Sequence, residues 1–135
     1  MSSENSMNMM KVGDVMVKDL VTVDYRIPVR EVCRIMGEKK IGSVLVTKEG
    51  KPYGIFTERD LVSKVLLEGN LDDEVGKYTS SPLITVSPDY SLREAARIMA
   101  DMKIKRLVVV EGDEVVGILT ASDLARAIAE APLDF

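Results

Sequence analysis

Slid along itself by 63 residues, the chain matches itself without a gap. Val12-Gly13 falls on Val75-Gly76, and Leu20, Thr22 and Val23 fall on Leu83, Thr85 and Val86. Arg30-Glu31 falls on Arg93-Glu94, Arg34-Ile35-Met36 on Arg97-Ile98-Met99, and Lys40-Ile41 on Lys103-Ile104. Gly54-Ile55, Thr57 and Asp60-Leu61 fall on Gly117-Ile118, Thr120 and Asp123-Leu124. Such a repeat dictates the fold, because each half must build the same supersecondary unit. A unit of about 55 residues is marginal alone, since it buries too small a share of its surface, and two such units packed face to face can share a core. The acidic stretch Gly69-Asn70-Leu71-Asp72-Asp73-Glu74 marks the boundary. The expected organisation is a flexible tail over 1–11, a repeat over 12–69, a linker over 70–74, a second repeat over 75–130 and a tail over 131–135.

Each repeat reads β-α-β-β-α, a mixed α/β unit of the α+β kind. Val21 to Val23 and Ile84 to Val86 are short strands. The helix after the first opens with Pro28, tolerated in a first turn whose N–H groups lack partners anyway. Val29, Val32, Cys33 and Met36 then recur at helical spacing. The helix after the second opens on the capping box Ser91-Leu92-Arg93-Glu94, with Leu92, Ala95, Ala96 and Met99 as its stripe. Val44-Leu45-Val46 and Ile55 to Thr57 flank a turn at Lys48-Glu49-Gly50-Lys51; Leu107 to Val110 and Val115 to Thr120 flank one at Gly112-Asp113. These runs are predicted hairpins. Closing helices start near Glu58 and Ala121, with apolar faces at Leu61, Val65 and Leu66, and at Leu124, Ala125 and Ile128. Apolar helix surface left uncovered by so small a sheet is available to another chain.

The two strand-to-helix corners carry the chemistry. Gly54 to Asp60 reads G-I-F-T-E-R-D and Gly117 to Asp123 reads G-I-L-T-A-S-D. A helix start offers unpaired N–H groups and the positive end of the macrodipole, a natural seat for phosphate. Thr57 and Thr120 stand at the N-cap, with Asp60 and Asp123 three residues on. One carboxylate has two acceptor oxygens and can grip both hydroxyls of a ribose diol. Arg59, Lys105 and Arg106 set cations beside these helix starts in an acidic protein. The same T-x-x-D pattern is also a helix-capping motif that needs no ligand, so both readings stand.

Net charge is −4, which disfavours a nucleic-acid binder that works by neutralising phosphates. No apolar run approaches the roughly 20 residues of a membrane helix, and the polar, methionine-rich start does not read as a signal peptide. Cys33 is the only cysteine, so no internal disulfide can form and a cytoplasmic setting is expected. It reads as a small core residue. Histidine is absent, and no P-loop or paired-cysteine spacing occurs, so no catalytic residue, metal or cofactor is expected. Scarce Asn and absent Gln beside plentiful Lys and Glu fit a thermophile.

The V-x-V strand before the first helix, the apolar strand pair and the doubled G-h-h-T-x-x-D (h, apolar) resemble the CBS domain, named after cystathionine β-synthase. The tandem resembles the CBS pair called a Bateman module, over about residues 12 to 130. The resemblance implies a pseudo-two-fold disc with two clefts between the repeats. It implies regulatory binding of adenosine ligands: AMP, ADP or ATP, with S-adenosylmethionine less favoured. It also implies a homodimer and an unidentified regulated protein. In one cleft Asp123 would hold the ribose, with Thr120, Ser122 and Arg106 near ribose and phosphate and Met16, Val21, Ile41 and Gly42 around the adenine. In the other Asp60 would hold the ribose, with Thr57 and Arg59 toward phosphate and Thr79, Ile84, Ile104 and Lys105 completing it. Ser43 stands where the second repeat has Arg106, which favours the Asp123 cleft for a phosphorylated ligand. A structural dimerisation or interaction module with non-functional clefts is the alternative.

Overall fold

The computed structural model describes residues 10–80 and 83–130. In chain order the elements are α1 (Val12–Val15), β1 (Thr22–Asp24), α2 (Val29–Lys39), β2 (Ser43–Lys48) and β3 (Lys51–Thr57). The helix α3 follows in three pieces: Glu58–Asp60 is α-helical, Leu61–Val65 is a π turn and Leu66–Glu68 is α-helical again. A 3₁₀ turn at Val75–Tyr78 precedes β4 (Thr85–Val86), α4 (Leu92–Met102), β5 (Arg106–Glu111), β6 (Glu114–Thr120) and α5 (Ala121–Glu130). The architecture is the expected α+β tandem, with a three-stranded sheet in each half.

The chain divides into two compact units that do not coincide with the sequence repeats. One is Leu20–Leu83; the other joins the segment up to Asp19 to the chain from Ile84 onward. In the first, β1 lies parallel to β2, and β2 and β3 form an antiparallel hairpin. Its turn needs left-handed backbone at Glu49 and Gly50, which glycine supplies without steric cost. Pro28 offers α2 no side-chain cap. The amides of Val29 and Arg30 instead donate to the carbonyls of Asp73 and Leu71, at 2.9 Å each. The acidic stretch expected to be a mere linker thus satisfies a helix start. The expected stripe of α2 is buried at Val29, Val32 and Met36, with Cys33 half-buried. Burial raises the Cys33 thiol pKa. These side chains join Val23, Val44, Val46, Phe56 and Val65 in one core, completed by Val75 and Tyr78.

One expectation fails in α3. Leu66, expected on the apolar face with Leu61 and Val65, is 58% exposed. The Leu66 amide donates to Leu61 O, five residues back. Leu66 lies about 140° around a regular 3.6-residue helix from Leu61, and its counterpart Ala129 on the unbroken closing helix of the second repeat is exposed as well.

The other unit repeats the sheet as β4, β5 and β6 with the same parallel and antiparallel pairings. Ser91 and Glu94 form the expected capping box on α4. Leu92, Ala95 and Met99 pack with Val86, Leu107, Val109 and Leu119, and Val12 from α1 fills the same core. On α5, Leu124 and Ile128 are partly buried, but Ala125, expected on the same face, is exposed. Each unit therefore has its own core. Of the segment expected as a flexible tail, Met10 and Lys11 are described, and both are held: Met10 O accepts from the Leu92 amide at 3.0 Å, and Lys11 bridges Ser91. The remaining tail positions lie outside the described residues.

The leading segments are exchanged. The Val75 and Gly76 amides donate to Ile27 O and Tyr25 O, while those of Val12 and Gly13 donate to Tyr90 O and Pro88 O. Ser80 pairs with Ile55 through both backbone groups, and Val17 pairs likewise with Ile118. Every one of these bonds has its counterpart 63 positions away. The start of each sequence repeat is built onto the sheet of the other, which is how a short repeat completes a core.

Candidate functional site

Both T-x-x-D corners fold as capping boxes. Asp60 is 6% exposed and Asp123 5%. Asp60 Oδ2 accepts from the Thr57 amide at 2.9 Å and the Thr57 hydroxyl at 3.1 Å, and the Asp60 amide donates to Thr57 Oγ1 at 3.2 Å. Asp123 Oδ2 accepts from the Thr120 amide at 2.9 Å, and the Asp123 amide donates to Thr120 Oγ1 at 3.1 Å. In each case Oδ1 is left for another partner. Lys64 Nζ takes Asp60 Oδ1 at 3.0 Å, and Arg126 Nη1 takes Asp123 Oδ1 at 3.2 Å. These two cations were not singled out in the sequence. The signal was available, since a basic residue three or four positions after an acid meets it on a helix.

The corner glycines answer to packing. A Cβ on Gly54 would lie 2.3 Å from Ser80 O and 2.5 Å from Thr79 Cγ2; one on Gly117 would lie 2.6 Å from Met16 Sδ and 3.0 Å from Val17 O. The exchanged segments run directly over them.

The fold gathers the candidate residues by unit. Asp123, Thr120, Ser122, Arg106 and Met16 share a unit, together with Ile84, Ile104 and Lys105. Asp60, Thr57, Arg59 and Thr79 share the other, together with Val21, Ile41 and Gly42. Several have local duties. Gly42 O and Lys105 O accept the amides of Glu58 and Ala121, the first residues of the corner helices, at 3.1 and 2.9 Å. Val21 O and Ile84 O accept from Leu45 and Val108 across the parallel strand pairs. Ile41 and Ile104 pack on the cores of their own units. The Thr79 hydroxyl donates to Val75 O at 2.8 Å. Arg59 and Ser122 are exposed.

Arg106 stands out. It pairs with Thr120 in the β5–β6 register, as Ser43 pairs with Thr57, so each side chain lies beside its corner threonine on the same sheet face. Arg106 Nε is buried without a hydrogen-bond partner, the only such side-chain atom among the described residues. An unpaired buried donor costs about 1–3 kcal/mol. Beside Asp123, a cavity of about 340 Å³ is lined by Met10, Asp14, Val15, Asp123, Arg126, Ala127 and Glu130. Another of about 390 Å³, on the α2 side of the first corner, is lined by Cys33, Met36, Gly37, Lys40, Ile41, Glu58 and Leu61. Among the described residues no acidic or cysteine cluster could hold a metal ion, and no helix is long and apolar enough to cross a membrane.

Known proteins agree with this architecture. The chain is 38% identical over 124 residues to protein MK0525 of Methanopyrus kandleri, covering 89% of this chain and 63% of that one, so it spans less than two thirds of that relative. A conserved protein from Pyrococcus horikoshii superposes with a TM-score of 0.84 at 31% identity, over 96% of this chain and 98% of that one. The hexameric CBS-CP12 protein from bloom-forming cyanobacteria superposes at 0.79 with 28% identity, over 87% and 70% of the two chains. The CBS-domain family model matches residues 12–67 and again 75–130. The chain therefore belongs to the CBS-domain family and carries two CBS domains in tandem.

Proposed function

We propose that this CBS pair is a regulatory module that binds an adenosine-containing ligand, AMP, ADP or ATP, at the Asp123 corner and signals its occupancy to a partner protein. The observation that carries the reading is the orphaned Nε of Arg106 beside Thr120. A ligand phosphate would satisfy that donor, and a charge-assisted bond of this kind is among the strong ones. Asp123 Oδ1, bonded among the described residues only to the guanidinium of Arg126, can accept from a ribose hydroxyl once that guanidinium turns away. Signalling further requires that ligand bind two arrangements of the protein with different affinity. Calorimetric titration with AMP, ADP, ATP and S-adenosylmethionine tests the reading. Saturable binding of an adenine nucleotide that Asp123→Ala abolishes is expected, and no heat with any of the four ligands at millimolar concentration overturns it.

A second reading, a structural interaction module without a working ligand site, is favoured by one observation: both aspartates already cap their own helices. It expects partner binding indifferent to Asp123→Ala. Either reading accommodates self-association through α3, whose Val62, Leu66 and Leu67 are exposed. The hexameric solved relative gives precedent for assembly.

A further inference from the structure

Besides the exchange of Ser43 for Arg106, the two corners differ at a side chain that closes one and leaves the other open. Lys64 Nζ lies 3.0 Å from Asp60 Oδ1 and 3.3 Å from the carbonyl oxygen of Tyr78. It ties the corner carboxylate to the exchanged segment that crosses the sheet. The residue 63 positions on is Ala127, and the counterparts of Asp60 and Tyr78 are Asp123 and Val15. Those three residues line the cavity of about 340 Å³ beside Asp123. The space that Lys64 spans in one unit is thus open in the other, because alanine has no amine to send across it. Asp123 has a substitute cation in Arg126, but among the described residues it reaches no backbone carbonyl, and its side chain is 62% exposed against 45% for Lys64. The Thr57 hydroxyl also donates to Asp60, which loads that carboxylate further.

The geometry points to Lys64 as an internal occupant of the Asp60 corner, holding the acceptor oxygen that a ribose hydroxyl would need, so that the tandem offers one sugar-binding corner per chain rather than two. This inference rests on the nucleotide reading above and adds a number of sites and a residue that sets it. Lys64→Met removes the amine while keeping most of the aliphatic chain.

Two measurements on the full chain test it. Hydrogen–deuterium exchange without ligand should show the amides of 75–78 exchanging about three- to tenfold faster in Lys64→Met, as loss of a charge-assisted bond to a carbonyl implies. Arg126→Met should leave the amides of 12–15 unchanged. Calorimetry with AMP should give about one site per chain in the wild type and, in Lys64→Met, a second and weaker one, since Ser43 supplies no phosphate donor like Arg106, returning to one in Lys64→Met/Asp60→Ala. Unchanged exchange at 75–78, or two AMP sites already in the wild type, overturns the inference. A single site persisting in Lys64→Met also overturns it. Faster exchange with no AMP bound by any variant overturns the nucleotide reading and leaves the Lys64 tie standing.

Discussion

Gly54 lies so close under Ser80 that a Cβ on it would stand 2.3 Å from the Ser80 carbonyl oxygen. That carbonyl accepts the Ile55 amide at 3.1 Å, so the glycine and the exchanged segment require one another. Gly54→Ala must displace backbone, and overpacking of this kind costs about 1–3 kcal/mol. The nearest atom to Gly117 is instead the flexible Met16 Sδ. Urea denaturation should show Gly54→Ala losing more stability than Gly117→Ala, with Met16→Ala partly rescuing only the latter. Equal losses would mean that backbone clash does not separate the two glycines.

The exchange also decides which fragments can fold. Residues 20–83 keep Val75 and Tyr78, which are buried in the first core. A fragment cut at the repeat boundary, 12–69, lacks both and leaves the α2 amides of Val29 and Arg30 without their carbonyls. The 20–83 fragment is expected to unfold cooperatively in urea, followed by circular dichroism, and 12–69 to show no cooperative transition. The reverse order would refute the exchange.

Arg106 should trade stability against binding. Replacing it with Met removes an unpaired buried donor, so the ligand-free protein should be as stable as wild type or more so. AMP affinity should fall at least about tenfold, the scale of a charged hydrogen bond. Thermal melts with and without AMP read both effects. A large loss of stability without ligand would show that Arg106 is structural.

Acid should loosen the segment that joins the repeats. The Tyr78 hydroxyl donates to Asp73 and, with help from Lys77, holds that carboxyl below its usual 3.8 against the opposing effect of burial. Asp24 is lowered in the same direction, first by the amide and then by the guanidinium of Arg26. A lowered carboxyl pKa stabilises the fold above the unfolded-state value and loses that contribution as pH falls through the folded-state value. Melting temperature should therefore drop as pH goes below about 4, and Tyr78→Phe should flatten part of that drop. An identical pH dependence in Tyr78→Phe would remove Asp73 from the account.

Self-association through α3 gives a further test. Val62, Leu66 and Leu67 are exposed together on that helix. If they seat a second copy, Leu67→Lys should shift the mass measured by light scattering to that of one chain while leaving the melting curve of the isolated fold nearly unchanged. An unaltered oligomer would place the interface elsewhere.

The 63-residue repeat, the β-α-β-β-α order, the Ser91 cap and both threonine–aspartate corners were readable along the chain. The repeat needs only a comparison of the chain with itself, and the other features depend on neighbours within a few residues: alternation, helical spacing, a glycine in a turn, a hydroxyl three positions before an acid. Tertiary structure decided the rest. Nothing local says that Val75 and Tyr78, which open the second repeat, belong in the core of the first. They sit there because the first sheet leaves a gap that only a distant segment can fill, and the glycine beneath that crossing makes room for it. The same holds for the corners: the letters at 64, 106 and 127 are visible in order, but only folding gives Lys64 a carbonyl to bond and leaves Arg106 Nε buried without one. A hydrogen bond is made or missed by what long-range packing brings within about 3 Å, and a linear sequence carries no such distance.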